Sequence, residues 1–164
     1  MIQQFRMLQK VKRLREDKAL RALEKARNAL REAEARRDAL GAEAQQSAAT
    51  LPARERAIFT EFLNTVVDMS RIDDANADVL DLREKHQALV DRWDRSKDAV
   101  LRAEKRLQDA RLELRKRQQD TEKIDTVTEE VRVQIEDEAT QREEVEIEDL
   151  FTRPRGMAGM ATSS

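Results

Sequence analysis

Apolar residues recur in the C-terminal half of the chain at intervals that alternate between four and three residues. Sixteen successive positions follow this alternation without a slip: Leu82, His86, Leu89, Trp93, Ser96, Val100, Ala103, Leu107, Ala110, Leu114, Arg117, Thr121, Ile124, Thr128, Val131 and Ile135. A 3.5-residue repeat kept over more than three or four heptads is typical of a coiled-coil helix. The polar members of the series are expected to weaken the interface and to fix its register.

A weaker stripe predicts another helix over residues 2–46. Its seam consists mainly of small side chains: Ala19, Ala22, Ala26, Ala29, Ala33 and then Leu40, with Leu20, Leu23 and Leu30 widening the stripe. The spacing again alternates between three and four residues, with one skip at Arg36. Because alanine buries little area, we expect this interface to be weakly specified.

Two segments predict interruptions of the helices. Pro52 lacks the N–H that a helix interior needs, so we predict a kink or break near residues 47–52 and a short helix from there to Met69. The segment 70–76 contains four residues that favour helix caps: Ser70, Asp73, Asp74 and Asn76. Because the long repeat starts directly after them, this segment is predicted to be a turn.

Together these elements predict an all-α protein, a long antiparallel two-helix coiled-coil hairpin with its tip near residues 70–76. One arm is predicted at residues 2–69 and the other at residues 77–150. The two arms form a single domain, residues 1–151, and the aperiodic residues 152–164 are predicted to be a disordered tail.

The distribution of charge supports the pairing of the two arms. Residues 1–40 hold 12 basic and 6 acidic residues, and residues 129–150 hold 2 basic and 10 acidic residues. A hairpin would lay these oppositely charged segments side by side. An intermolecular antiparallel dimer would benefit equally, so the charge pattern leaves the oligomeric state open.

Composition narrows the classes of function. Ala, Glu, Lys, Leu and Arg make up just over half of the chain, there is no Cys, and the net charge is −2. Such a composition is typical of long helices, and the near-neutral charge argues against nucleic acid as a partner. No apolar stretch is long enough to insert into a membrane. His86 is the only histidine, so we predict no catalytic residue, no metal site and no cofactor.

One dense cluster of large apolar residues lies in the predicted short helix before the tip. Phe59, Phe62 and Val66 share one helical face there, and Val79, Leu82 and His86 share a face after the tip. Two interpretations remain open for this cluster. It is either the packing between the two arms or a protein-binding head that uses its aromatic and aliphatic side chains as anchors.

Several segments of the chain resemble the central stalk proteins of type III secretion systems, the YscO/FliJ-like (SctO) family. They are the start from Ile2 to Glu16, the Ala/Leu arm, the segment Arg54-Glu-Arg-Ala-Ile-Phe59, the triplet Glu122-Lys123-Ile124 and the acidic end from Glu143 to Phe151. The resemblance covers roughly residues 1–151. It implies a two-helix coiled coil, similar to the shaft of a rotary ATP synthase, that inserts its joined ends into the hexameric secretion ATPase.

The resemblance also implies partners and the residues that face them. The ATPase would be bound by Arg6, Lys10, Lys12, Arg13, Arg15, Glu143, Glu144 and Glu146. The export gate, or another partner at the tip, would be bound by Phe59, Phe62, Val66, Val79, Leu82 and His86. Some family members also bind secretion chaperones. The protein is then expected to be non-enzymatic and cytoplasmic, at the cytoplasmic face of the secretion apparatus.

Two other classes of function also fit the pattern. One is a general coiled-coil scaffold or tether without an ATPase partner, for which an extended dimer would be expected. The other is a holdase-like chaperone that grips its clients with the cluster around Phe59 and Phe62.

Overall fold

The computed structural model describes the backbone of residues 1–63 and 65–158 and the side chains of residues 1–63 and 65–152. Within these ranges the chain forms two α-helices and no strand: α1 spans Ile2–Thr60, 59 residues, and α2 spans Met69–Ala158, 90 residues. The predicted all-α fold is therefore confirmed. Helix α2 continues past residue 152, where the tail is predicted to begin, and residues 159–164 of that tail lie outside the described residues.

The connection between the helices lies earlier than the sequence predicts. It occupies residues 61–68, and residues 70–76 belong to α2. The backbone carbonyl of Asp68 accepts hydrogen bonds from the amides of Arg71 and Ile72, at 3.1 and 3.3 Å. Asp68 therefore occupies the N-cap position of α2. The predicted tip at 70–76 is wrong because Asp68 starts the helix before the cluster of cap-forming residues is reached.

Of the kink or break predicted near residues 47–52, the break is wrong, because α1 runs without interruption through Pro52. The kink stays a prediction. Pro52 has no amide hydrogen, so the carbonyl of Ala48 lacks its usual helical donor. Nearby side chains donate to other carbonyls: Thr50 Oγ1 to that of Gln46 at 3.0 Å, and Arg54 Nη2 to that of Ser47 at 3.1 Å. These bonds add to the turn before the proline but do not replace the missing one.

The chain divides into two compact units. Unit 1 comprises Met1–Ala19 with Leu114–Ser164, and unit 2 comprises Leu20–Glu113. In unit 2, contacts of Ser47 with His86 and of Glu55 with Arg83 show that its two helical segments run antiparallel. The buried apolar side chains of this unit are Leu23, Ala44, Ala75, Val79, Val100, Ala103 and Leu107.

Unit 1 also pairs two antiparallel helical segments, but its interface is more polar. Gln9 Nε2 donates to Asp125 Oδ1 at 2.8 Å, and Lys12 Nζ lies 3.9 Å from Asp120 Oδ2. The buried side chains contributed by α2 are Thr121, Ile124 and Thr128, of which only Ile124 is apolar. The two threonines donate back to carbonyls of their own helix, so they leave no hydroxyl unsatisfied.

The predicted long repeat agrees with the structure over almost its whole length. Each of its positions from Leu82 to Val131 is buried or half-buried, and only the last, Ile135, is exposed. The predicted stripe of α1 is less accurate, since Ala22 and Ala29 are exposed while Leu23 is buried. Leucine buries more apolar area than alanine, which explains why Leu23 rather than Ala22 faces the partner helix.

No helix in the described part of the chain is both long and apolar enough to cross a membrane.

Candidate protein-binding surfaces

The first surface is an apolar stripe on the N-terminal part of α1, formed by Met7, Val11 and Leu14. Their exposed fractions are 70%, 40% and 62%. The spacing i, i+4, i+7 places the three on one face of the helix. The opposite face, which packs against α2 within unit 1, is mixed: Phe5, Gln9 and Glu16 are half-buried there and Ala19 is buried. The helix therefore carries apolar side chains on both faces, and the outward-facing stripe has no partner in the described part of unit 1.

Basic residues flank this stripe, and they fall into two groups. Lys12 and Arg13 form ion pairs with α2 inside unit 1, Lys12 with Asp120 at 3.9 Å and Arg13 Nη2 with Asp125 at 3.5 Å. Arg6, Lys10 and Arg15 are exposed, and none of them forms an ion pair with another described residue. Of the five basic residues predicted to face the ATPase, three are therefore available to an external partner and two also stabilise the unit.

The second surface is the C-terminal part of α2, which has no helix packed against it in the described part of unit 1. Every side chain from Arg132 to Thr152 is exposed. This segment contains 8 acidic and 2 basic residues. It includes the three glutamates predicted to face the ATPase, Glu143, Glu144 and Glu146, together with the exposed apolar side chains of Val145, Ile147, Leu150 and Phe151.

At the start of this segment Arg132 lies between two carboxylates of its own helix. It pairs with Glu129 at i−3 and with Glu136 at i+4. The hydrogen bond from Arg132 lowers the pKa of Glu129 below its usual range. Pairs at these spacings stabilise a solvent-exposed helix modestly, which is consistent with a helix that continues without a partner.

The third surface lies at the end of unit 2 where the two helices connect. Phe59 and Leu63 line a groove of about 490 Å³ together with Pro52, Glu55, Val79 and Arg83. Val66 in the connection is fully exposed, and Phe62 is half-buried. The sequence-predicted residues Phe59 and Val79 are thus brought together around one groove, with Phe59 accessible and Val79 buried beneath it.

Leu82 and His86 belong to the helix interface rather than to an outer surface. Both are half-buried, and His86 Nδ1 lies 2.9 Å from Ser47 Oγ on α1. Arg54 Nη2 also donates to Ser47 Oγ, at 3.0 Å. These three side chains form a polar layer between the helices, a type of contact that fixes the register of a coiled coil.

Sequence reasoning missed part of these surfaces. Met7, Val11 and Leu14 were not predicted as contact residues, although their spacing and the polar residues between them carried the signal. Met69 is also exposed beside the connection. It was missed because the turn was predicted after it rather than before it.

The fold and these surfaces define the chain as an all-α, two-helix protein with exposed apolar and charged surfaces. Residues 5–153 match the model of the family described as type III secretion protein YscO. The match covers most of the chain, which therefore belongs to the YscO family of type III secretion proteins. No curated protein and no solved structure matches the chain.

Proposed function

We propose that this protein is the central stalk of a type III secretion system. In this role it is a non-enzymatic, cytoplasmic protein that inserts into the hexameric secretion ATPase. It promotes the assembly or activity of that ATPase and links it to the export gate. Membership of the YscO family supports the secretion context, and the surfaces of the two units support protein partners.

The observation that carries the proposal is the exposed apolar stripe of the N-terminal helix. Met7, Val11 and Leu14 face outwards, while Phe5, Gln9 and Glu16 lie half-buried on the face towards α2. Exposed apolar side chains aligned on one helical face, with charged neighbours, are typical of a helix that docks on another protein. We assign this stripe to the ATPase.

Charge adds specificity to the proposed ATPase contact. Arg6, Lys10 and Arg15 give unit 1 a basic surface on α1, and Glu143, Glu144 and Glu146 give it an acidic surface on α2. A single chain with such unlike surfaces inside a symmetric ring contacts the ring subunits unequally. Unequal contacts favour different nucleotide states in different subunits, which is how the stalk would couple to ATP hydrolysis.

We assign the export-gate contact to the end of unit 2 at the connection. Phe59, Phe62 and Val66 are the residues proposed to touch the gate directly. Val79, Leu82 and His86, which the resemblance also assigns to this contact, are proposed to support it from within the helix interface. The accessible groove beside Phe59 supports this assignment, since a pocket rimmed by aromatic and aliphatic groups is where binding anchors concentrate.

The proposal is tested by removing the apolar stripe without unfolding the helix. Met7→Gln with Leu14→Gln should weaken binding to the secretion ATPase of the same genome by about 1–3 kcal/mol, because two apolar anchors are lost. The matched control is Leu101→Gln with Leu112→Gln, two leucines of α2 that are 62% and 53% exposed. Isothermal titration calorimetry of each purified variant measures the effect. Equal binding by the two double variants would show that the stripe is not the ATPase contact.

A second test concerns the charged flank of the stripe. Arg6→Glu with Lys10→Glu should reduce the association rate and its dependence on salt, because exposed charges steer encounter more than they set affinity. These two residues are better choices than Lys12 and Arg13, whose reversal would also break the ion pairs to Asp120 and Asp125. ATPase binding that is unchanged at low salt would mean that the assigned end is wrong.

A further inference from the structure

Unit 2 contains a second open groove, which the proposed function does not use. It has a volume of about 640 Å³ and lies along one side of the interface between α1 and α2. Its floor is formed by the buried and half-buried lining residues Ala33, Leu40, Ser96 and Ala99. Three exposed arginines, Arg36, Arg92 and Arg95, also line it. We call this feature the arginine groove.

The shape of the arginine groove suits the packing of a third helix. Helix α1 contributes residues between 29 and 40 and α2 contributes residues between 92 and 99, in both cases at helical spacings of three and four. The α1 side spans eleven residues of rise, roughly 16 Å or about three helical turns, and the α2 side spans seven, roughly 10 Å or about two turns. Rows of side chains at these spacings are the ridges between which another helix packs.

The floor suits close approach by apolar side chains. Ala33 and Ala99 are small and half-buried. Ser96 is buried, and its hydroxyl donates to the carbonyl of Trp93 in its own helix at 2.5 Å. Apart from Leu40, the floor therefore offers short side chains, and its hydroxyl group is paired. The other side of the helix interface has no such floor of short side chains, because the large indole ring of Trp93 lies there against Gly41.

The arginines determine the charge of the partner. Arg36, Arg92 and Arg95 are exposed, and none of them forms an ion pair with another described residue. Arg95 Nε donates to the backbone carbonyl of Asp91 at 3.4 Å, which leaves its charge uncompensated. Glu32 is the one carboxylate among the lining residues. A surface with three guanidiniums and one carboxylate favours carboxylates, which guanidinium groups bind in a bidentate manner.

We propose that the arginine groove binds an acidic α-helix of a partner protein, about three turns long, that carries glutamates or aspartates on either side of an apolar stripe. The stripe would pack on Ala33 and Ala99, and the carboxylates would pair with Arg36, Arg92 and Arg95. This contact is independent of the proposed ATPase contact, because it involves unit 2 alone.

The test uses the full-length protein and a synthetic helical peptide of about four turns, with glutamates flanking an alanine–leucine stripe. Two further peptides serve as controls. One has glutamine in place of each glutamate, and the other has the same composition in scrambled order. Fluorescence anisotropy of the labelled peptides should show that the glutamate peptide binds about tenfold more tightly than either control.

Variants of the protein locate the binding site. Arg92→Glu with Arg95→Glu should weaken binding of the glutamate peptide by about tenfold or more, since two attractive contacts become repulsive. Arg27→Glu with Arg31→Glu is the matched control, because both arginines are exposed on α1 outside the groove and the change in net charge is the same. Circular dichroism at increasing temperature verifies that each variant folds.

Three results would overturn the proposal. The first is equal binding of the glutamate peptide and the scrambled peptide, which would indicate non-specific attraction of charge. The second is an equal loss of binding in both double variants. The third is tight binding of a peptide with the sequence of residues 132–152, together with self-association of the full-length protein that Arg92→Glu with Arg95→Glu abolishes. In that case the occupant would be a second copy of this chain. None of these results depends on the ATPase, so they leave the proposed function to its own tests.

Discussion

Gly41 of α1 lies directly against the indole ring of Trp93 on α2 within unit 2. A Cβ atom added at Gly41 would lie 2.8 Å from Trp93 Nε1 and 3.0 Å from Cε2. Lys97 Nζ lies 3.8 Å from the centre of the indole ring, in a cation–π contact. The indole is therefore held between the backbone of α1 and an ammonium group of its own helix. Glycine is required here for space, although it lowers the intrinsic stability of the helix.

This contact is tested by the effect of Gly41→Ala on stability, which should change sign when Trp93 is removed. Gly41→Ala should destabilise the protein by about 1–2 kcal/mol, since the cost of overpacking exceeds the gain of up to about 1 kcal/mol in helix propensity. In a Trp93→Ala background the clash is absent, so the same substitution should stabilise the protein. Chemical denaturation of the four variants measures both differences. Destabilisation of equal size in the two backgrounds would show that Trp93 is not what limits the size of residue 41.

The ion pair between Glu55 and Arg83 predicts a dependence on pH. Arg83 Nε donates to Glu55 Oε1 at 2.8 Å, and this hydrogen bond lowers the pKa of Glu55 below its ordinary value. A lowered pKa in the folded state means that the pair stabilises unit 2 above the ordinary pKa of a glutamate, about 4.3. That contribution is lost as the pH falls through the pKa of Glu55 in the folded protein.

Arg83→Gln should therefore raise the pKa of Glu55 towards its ordinary value. It should also make the stability of unit 2 less sensitive to pH in the acidic range. Carbon-detected NMR titration of the side-chain carboxyl group follows the pKa directly. Lys97→Gln, which removes a cation paired with Asp94 instead, should leave the titration of Glu55 unchanged. A shift of the same size in both variants would indicate a general effect of net charge.

At the scale of the helices, Pro52 does not end α1, although its residue type predicted a break there. Pro52→Ala should stabilise the protein by about 2 kcal/mol, because the missing amide and the ring clash are removed while the native helix is kept. Thermal unfolding monitored by circular dichroism gives the difference. A loss of stability would contradict this expectation and would mean that the geometry Pro52 imposes on α1 is needed for packing.

The sequence predicted the helix interface well where large residues repeat and poorly where they do not. The α2 repeat is clear because it includes Val100, Leu107 and Ile124, which few alternative registers could bury together. In α1, adjacent Ala22 and Leu23 allow two stripes, and only packing against α2 selects between them. The start of α2 was predicted too late in the chain, because Asp68 and the segment 70–76 both contain cap-forming residues. Their spacing alone does not indicate which of them begins the helix.

The candidate surfaces, like the helix interface, could be predicted only in part from the sequence. The acidic and basic segments were evident because charge can be counted directly. The sequence could not show which basic residues are paired within the protein. Lys12 pairs with Asp120 and Arg13 with Asp125, and each partner lies more than a hundred positions away in the chain. The groove beside Phe59 likewise depends on which side chains the connection at 61–68 leaves exposed.

At the scale of the whole molecule, the two units differ in the nature of their interfaces. Unit 2 buries large apolar residues such as Leu23, Val79 and Leu107, whereas the described buried apolar residues of unit 1 are Ala19 and Ile124, beside Thr121 and Thr128. Burial of apolar area is the main source of stability for packed helices. Unit 1 should therefore open more readily than unit 2.

Hydrogen exchange detected by mass spectrometry tests this difference. Amides of residues 2–19 and 114–131 should exchange at least about tenfold faster than those of residues 75–107, because local opening costs less where few apolar contacts must be broken. Amides of residues 132–152, which have no described partner helix, should exchange fastest. Uniform protection along α2 would contradict the division into a weakly and a strongly packed unit.

We propose that one copy of this chain acts on a hexameric ATPase through unit 1. This is tested by ATP hydrolysis by the secretion ATPase of the same genome, titrated with the full-length protein, with co-elution of the pair verified. We expect saturable stimulation at one chain per hexamer, lost in Met7→Gln with Leu14→Gln and kept in Leu101→Gln with Leu112→Gln. No binding and no change of rate, with an ATPase shown to be hexameric, would contradict it.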